Sequence, residues 1–288
     1  MDLSEIIKKI RKIQIKTRRK THTALFGEYR SVFKGQGMTF SEVRPYQPGD
    51  EVRRIDWNKT AHFRMPYVKV MEEERECSLF FLVDVSASMR YGTKETLKKN
   101  YAAEICASLG FSAAENNDKV GLVLFSDEVH KILPPKKGAR QIFHIISQLL
   151  RSDHYPCISS LDKALEFVMK KLSRKSFVVV ISDFEDPFSA TKLSAVAKKH
   201  VVLGIKISDE KEREMPDIGL VLFRDIETGR DVWINTSNAR WRYEYREQKK
   251  AKNKNLKSVF DNFNAGFIEL STGEEYTKLL QEYFRGKA

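Results

Sequence analysis

Cysteine is scarce in this chain. Cys77, Cys106 and Cys157 stand far apart without C-x-x-C spacing, which excludes a disulfide framework and a cysteine zinc site. Small buried thiols are the remaining reading. No apolar run is long enough to cross a bilayer. The opening MDLSEIIKKIRKIQIKTRRK has neither an uninterrupted apolar core nor a small-residue cleavage site, so it does not read as a secretory signal and the expected location is cytoplasmic. No P-loop, nucleophile elbow or H-E-x-x-H appears. The histidines, at 22, 62, 130, 144, 154 and 200, are scattered and offer no base constellation. Acidic residues are the short side of the charge balance, 39 against 51 Lys and Arg, for a formal charge of +12.

What is present is enough for a full core. The 288 residues are 41% hydrophobic and 31% charged, the balance of a folded globular chain with room for one large domain and a smaller one. The positive excess lies in two runs, one from Lys8 to Lys20 and one at Lys249, Lys250, Lys252, Lys254 and Lys257. Such surfaces attract nucleic acid, anionic membrane or an acidic protein. No RNA-binding strand motif, zinc finger or helix-turn-helix accompanies them, so nucleic acid is the minority reading. Ile6, Ile7, Ile10, Ile13 and Ile15 among the lysines suggest an amphipathic helix. It is expected to pack on the protein body, with peripheral membrane contact as the other reading.

The chain is organised around SLFFLVDVSASMRYG, Ser78 to Gly92. An apolar run ending in an acid reads as a buried parallel strand emptying into a loop. Sites in open α/β sheets form at such carboxyl ends. Asp84, Ser86 and Ser88 bring one carboxylate and two hydroxyls there, the hard donors that Mg²⁺, Mn²⁺ or Ca²⁺ prefer. An aspartate capping the following helix would look the same. A second such strand, Phe177 to Ile181, ends in Ser182 and Asp183, with Glu185 and Asp186 behind. Between the two lies a helix start with Ser159 and Ser160, which read either as helix caps or, for one hydroxyl, as a reach toward an ion at Asp84.

Alternation of strands and helices continues from Leu79 onward. Helices are expected over 93–114, 140–150, 158–169, 190–198, 237–260 and 274–284, with strands at 120–126, 128–133, 201–207, 220–225, 231–234 and 266–270. Pro134 and Pro135 are expected to stop the strand that precedes them. The fold class is therefore α/β, a mostly parallel sheet with helices on both faces.

Upstream, Gly35 to Glu76 is dense in Gly, Pro, Arg, Asp and aromatics. Pro48-Gly49-Asp50 reads as a turn. Arg44, Tyr46, Asp50, Arg53, Arg54, Asp56 and Trp57 crowd together. Guanidinium groups can pair with carboxylates and stack on rings there, so the group is expected to be a structural network or a docking or anion surface. Tyr67 to Glu76 reads as a charged, partly alternating strand, a β-extension beside the main sheet.

Two blocks of residues resemble a known family. GQGMTFSEVRPYQPGDEVRRIDWNKTAHF is similar to the signature of the bacterial fifty-eighth domain-of-unknown-function family. DVSASM and ISDFEDP resemble parts of the metal-ion-dependent adhesion site of its von Willebrand factor A-like domain. The resemblance implies an N-terminal basic helix and β-rich extension over 1–76 and a von Willebrand factor A-like, Rossmann-like domain over 77–288. It implies a metal set of Asp84, Ser86, Ser88, Ser159 and Asp183. Asp84 is the anchor, partly through water, Ser86 and Ser88 coordinate directly, and Ser159 and Asp183 complete the shell. Ser159 stands where such proteins carry threonine, and Ser160 where an acid is common, so this loop departs most from the pattern. Proteins of this kind tend to be encoded beside MoxR-type AAA+ ATPases. The implied function is a non-enzymatic, Mg²⁺-dependent protein-binding or adaptor module acting with such an ATPase or its client through an acidic side chain. The alternatives are a metal-assisted phosphoesterase and a basic nucleic-acid-binding protein.

Overall fold

The computed structural model describes residues 37–74, 78–92, 97–152, 159–224 and 231–287. The expected N-terminal amphipathic helix, Cys77 and Cys157 lie outside them. The chain divides into two compact units, one of them Phe33–Glu76, the other containing Cys77–Ala288.

In the smaller unit, β1 (Gly37–Pro45) and β2 (Tyr67–Glu74) form an antiparallel ribbon around the short helix α1 (Trp57–Phe63). This corrects the expectation for Tyr67 to Glu76. The strand does not extend the main sheet but pairs with Gly37–Pro45 in a sheet of its own. The reason is legible afterwards: Met38 to Val43 alternate only weakly, and the register slips between Phe40 and Glu42, so period-2 patterning did not reveal the partner.

The larger unit is built on six strands: β3 (Ser78–Asp84), β4 (Lys119–Phe125), β5 (Val129–Lys136), β6 (Phe177–Ser182), β7 (Val201–Ser208) and β10 (Gly266–Ser271). Their order is β10-β7-β6-β3-β4-β5, all parallel except the edge strand β5. β3, β4 and β6 read as unbroken apolar runs because both faces are covered, and nearly every residue in them is buried. β5 runs through Pro134 and Pro135 to Lys136 rather than stopping before them. A proline costs a sheet nothing on the free side of an edge strand, and β5 is such a strand.

Helices cover both faces. They are α2 (Lys98–Glu115), α3 (Ala139–Leu150), α4 (Leu161–Lys171), α5 (Ala190–Lys199), the short α6 (Glu210–Arg213), α7 (Ala239–Asn262) and α8 (Tyr276–Lys287). Leu82, Val178 and Val180 point to one face, where Leu165, Val168, Leu193, Val196 and Phe260 meet them. On the other face Phe177 meets Phe284 of α8, and Tyr101 of α2 meets Tyr276. A separate antiparallel hairpin, β8 (Leu220–Arg224) with β9 (Asp231–Asn235), stands apart from the main sheet. The helix expected from Thr93 begins at Lys98, and that expected from Glu274 begins at Tyr276.

Packing across the central strands is close. Phe80 on β3 lies beside Gly121 on β4, and a Cβ at Gly121 would sit 2.7 Å from its ring. Gly121→Ala is therefore expected to lower stability by about 1–3 kcal/mol through overpacking. A shift of the urea midpoint at constant slope is the measurement, and an unchanged midpoint would contradict the packing account.

Candidate metal centre

β3 and β6 are neighbours, with Val83 opposite Ile181, so their carboxyl ends open side by side. Asp84 arrives there fully buried. Its Oδ1 accepts from the Ser86 amide at 2.9 Å, which turns the chain into the tight helical turn Ala87–Arg90. That turn brings the Ser86 and Ser88 hydroxyls to 3.0 Å from one another. Asp84 Oδ2 accepts from Ser159 Oγ at 2.6 Å and from Ser182 Oγ at 2.8 Å. The Ser159 amide donates to Asp186 at 3.2 Å, so the loop before α4 is tied to the loop after β6.

The two readings of Ser159 and Ser160 separate here. Ser160 is the N-cap residue of α4 but makes no side-chain cap bond. Ser159 spends its hydroxyl on Asp84 instead. The structure thus joins Asp84, Ser86, Ser88 and Ser159 through one run of bonds, and the charge of Asp183 reaches Asp84. Burial, and then that neighbouring carboxylate, raise the Asp84 pKa to about 6, against the pull of the bonds from Ser159 and Ser86. On the far side, Asp183 Oδ2 lies 3.3 Å from the Lys98 ammonium, which also holds Glu212 at 2.7 Å. Burial works against the charge on Lys98, but Asp183 and Glu212 outweigh it and its pKa is raised.

Do these residues suit a cation? Two ligands cis on an octahedral Mg²⁺ at about 2.1 Å stand about 3.0 Å apart, which is the separation of the Ser86 and Ser88 hydroxyls. Among the described residues no three His, Cys, Asp or Glu side chains gather to hold a metal. The donor set is hydroxyl oxygen with two carboxylates, which suits a hard ion and not zinc. The residues fit Mg²⁺ or Mn²⁺.

Beyond the expected set, Ser182 is bonded to Asp84 and Asp186 to Ser159, and Lys98 joins Asp183 to Glu212. Ser182 had a signal, since it ends a buried strand beside an aspartate. Lys98 had none, for a lysine at a helix start reads as solvated. A second charged group follows directly on the loop. Glu185 receives Lys206 at 3.1 Å, Lys249 at 3.0 Å and Lys252 at 2.8 Å. Burial alone would raise its pKa, but the three ammonium groups hold it at about 2. Part of the basic run on α7 is thus engaged internally.

The expected network in the smaller unit is looser than its density in sequence. Arg44 grips Asp50 with two bonds of 2.8 and 2.7 Å, and this pair lowers the Asp50 pKa. Arg54 turns to Glu51, and Asp56 caps α1 at the Lys59 amide. The Tyr46 amide bonds to Pro66, Arg53 is exposed, and Trp57 is 67% exposed. A pocket of about 260 Å³ opens beside Arg44, Asp50, Arg54 and Lys69.

The model of a family described as "Protein of unknown function DUF58" matches residues 42–255. An uncharacterized protein of Mycobacterium tuberculosis is 29% identical over 223 residues, 76% of this chain and 70% of the relative. Among solved structures, the conserved hypothetical protein BatB of Bacteroides thetaiotaomicron matches with a TM-score of 0.50 at 15% identity. That match covers 73% of this chain and 98% of BatB. A weaker likeness, TM-score 0.41 at 10% identity over 71% of this chain and 93% of the other, is to the SpRpn10 VWA domain. Among the described residues no helix is long and apolar enough to cross a membrane.

Proposed function

This chain belongs to the DUF58 family and has a von Willebrand factor A-like fold, and from that premise we propose that it is a non-enzymatic, metal-dependent protein-binding module. The observation that carries the reading is the meeting of Asp84, Ser86, Ser88, Ser159 and Asp183 at the carboxyl ends of β3 and β6. Mg²⁺ is the first candidate ion, with Mn²⁺ or Ca²⁺ as substitutes. When bound, the ion supplies an electrophile with a coordination position left open for a ligand from outside.

The chain's own residues set up that electrophile. Ser86, Ser88 and Ser159 offer neutral oxygens, which leave the ion's charge largely unspent. Asp84 holds the Ser159 hydroxyl and the Ser86 amide, fixing two loops against each other. The partner group that fits is a carboxylate, completing the set that the protein leaves short of anions. By the family resemblance, the partner is a MoxR-type AAA+ ATPase or its client, in assembly or activation of other proteins in the cytoplasm.

The test is titration calorimetry with Mg²⁺ and with Mn²⁺. About one ion per chain is expected, with affinity reduced about tenfold or more in Ser86→Ala/Ser88→Ala while the fold, followed by circular dichroism, is retained. Equal binding by wild type and double variant would overturn the assignment.

A further inference from the structure

Lys98 is a fully buried lysine at the first turn of α2. Its ammonium reaches Asp183 Oδ2 at 3.3 Å and Glu212 Oε1 at 2.7 Å, and no solvent touches it. A charge in such a place is retained only because opposite charges face it. Asp183 from the loop after β6 and Glu212 from α6 do so. Glu212 is itself fixed, since its carboxylate accepts from the Asp209 amide at 2.9 Å and caps α6. The ammonium is thus held by two carboxylates from two different elements. A cation at the serine hydroxyls would put Asp183 between two positive charges.

We propose that Lys98 is a cation built into the centre, which competes with the metal for Asp183 and weakens metal binding until a partner's carboxylate is present. The proposal rests on the metal reading above. Without an ion, Asp183 and Glu212 share the one charge of Lys98, while Asp84 holds the Ser159 and Ser182 hydroxyls. With the ion present, ion and buried ammonium both draw on Asp183, and their mutual repulsion weakens the ion's hold. An acidic side chain arriving from outside cancels the excess. Ion and partner thus each raise the affinity of the other, and by linkage they do so to the same degree. Such a module keeps its bridge open until the acid that completes it is present.

The test replaces the charge and reads the ion. Lys98→Met is expected to bind Mg²⁺ about tenfold more tightly than wild type in calorimetry, and to gain more in melting temperature on adding saturating Mg²⁺. Lys98→Gln keeps donors for both carboxylates without the charge, and serves if the Met variant does not fold. It is expected to tighten binding likewise, whereas Lys98→Arg stays near wild type. Unchanged or weaker binding in the neutral variants, with wild type still binding one ion, overturns the role of Lys98 alone. No ion bound by any of these proteins overturns the metal reading and this inference with it.

Discussion

Replacing Asp84 with asparagine is expected to abolish Mg²⁺ binding and, in the metal-free protein at pH 8, to raise stability by about 1–3 kcal/mol. The two effects have one cause. Asp84 is fully buried next to a second carboxylate, and its pKa stands at about 6 against an ordinary 3.8. A carboxyl whose pKa is raised on folding stabilises the fold fully below its unfolded value. That contribution is lost as the pH climbs through the folded one. Above about pH 6 the wild type therefore carries a charge that the fold resists, and the asparagine does not. The amide remains compatible with its neighbours. Its oxygen can accept from the Ser86 amide, and its NH₂ can donate to the Ser159 and Ser182 hydroxyls as these rotate. Urea unfolding at pH 4, 6 and 8 in the presence of a chelator measures it. The gap between variant and wild type is expected to open between pH 4 and 6 and then to level. A variant less stable than wild type at pH 8 would mean that its bonds, not its charge, dominate the energetics of Asp84. Wild-type Mg²⁺ affinity is expected to fall below about pH 6, where protons take the carboxylate first.

Phe260→Ala is expected to cost about 3–5 kcal/mol and to weaken Mg²⁺ binding severalfold, although its ring is on α7, packed against Phe184, Phe188 and Phe267. The ring is fully buried, with Phe184 at 5.7 Å edge-on and Phe267 at 5.2 Å. It fills space that Gly204 leaves open on β7, where a Cβ would approach it to 2.6 Å. Phe184 sits between Asp183 and Glu185 with φ at 51°, a left-handed conformation that a bulky residue adopts at a cost. Packing of its ring against Phe260 and Phe188 offsets that cost. Without the Phe260 ring the loop loses the wall that fixes Asp183. Denaturation together with ion titration checks both parts, and Phe260→Leu is expected to lie between variant and wild type. A loss below about 1 kcal/mol would contradict the packing account.

The loops that meet at Asp84 are legible in the sequence. Asp84 and Asp183 announced themselves because each ends an apolar run, and a run of buried strand residues stops where the sheet meets a loop. Ser86 and Ser88 followed from spacing alone, since a turn of the chain returns alternate residues to one side. Ser159 was ambiguous, as helix starts favour serine for capping whether or not a ligand is near. Its bond to Asp84 shows that the hydroxyl is not spent on the helix start.

By itself, then, the sequence determined the α/β architecture, most elements of the larger unit to within a few residues, and the identity of the loops that meet. Those properties are local, written in hydrophobic period and in the residues that end strands. Tertiary structure alone decided the strand order that sets β6 beside β3 and the edge position that lets β5 keep its two prolines. It decided also the pairing of β2 with β1. Above all it decided the electrostatics. Lys98 lies 85 residues from Asp183 along the chain, and Glu185 draws its lysines from β7 and α7. Charges act through space and through the dielectric around them, and neither distance nor burial is written in the order of residues.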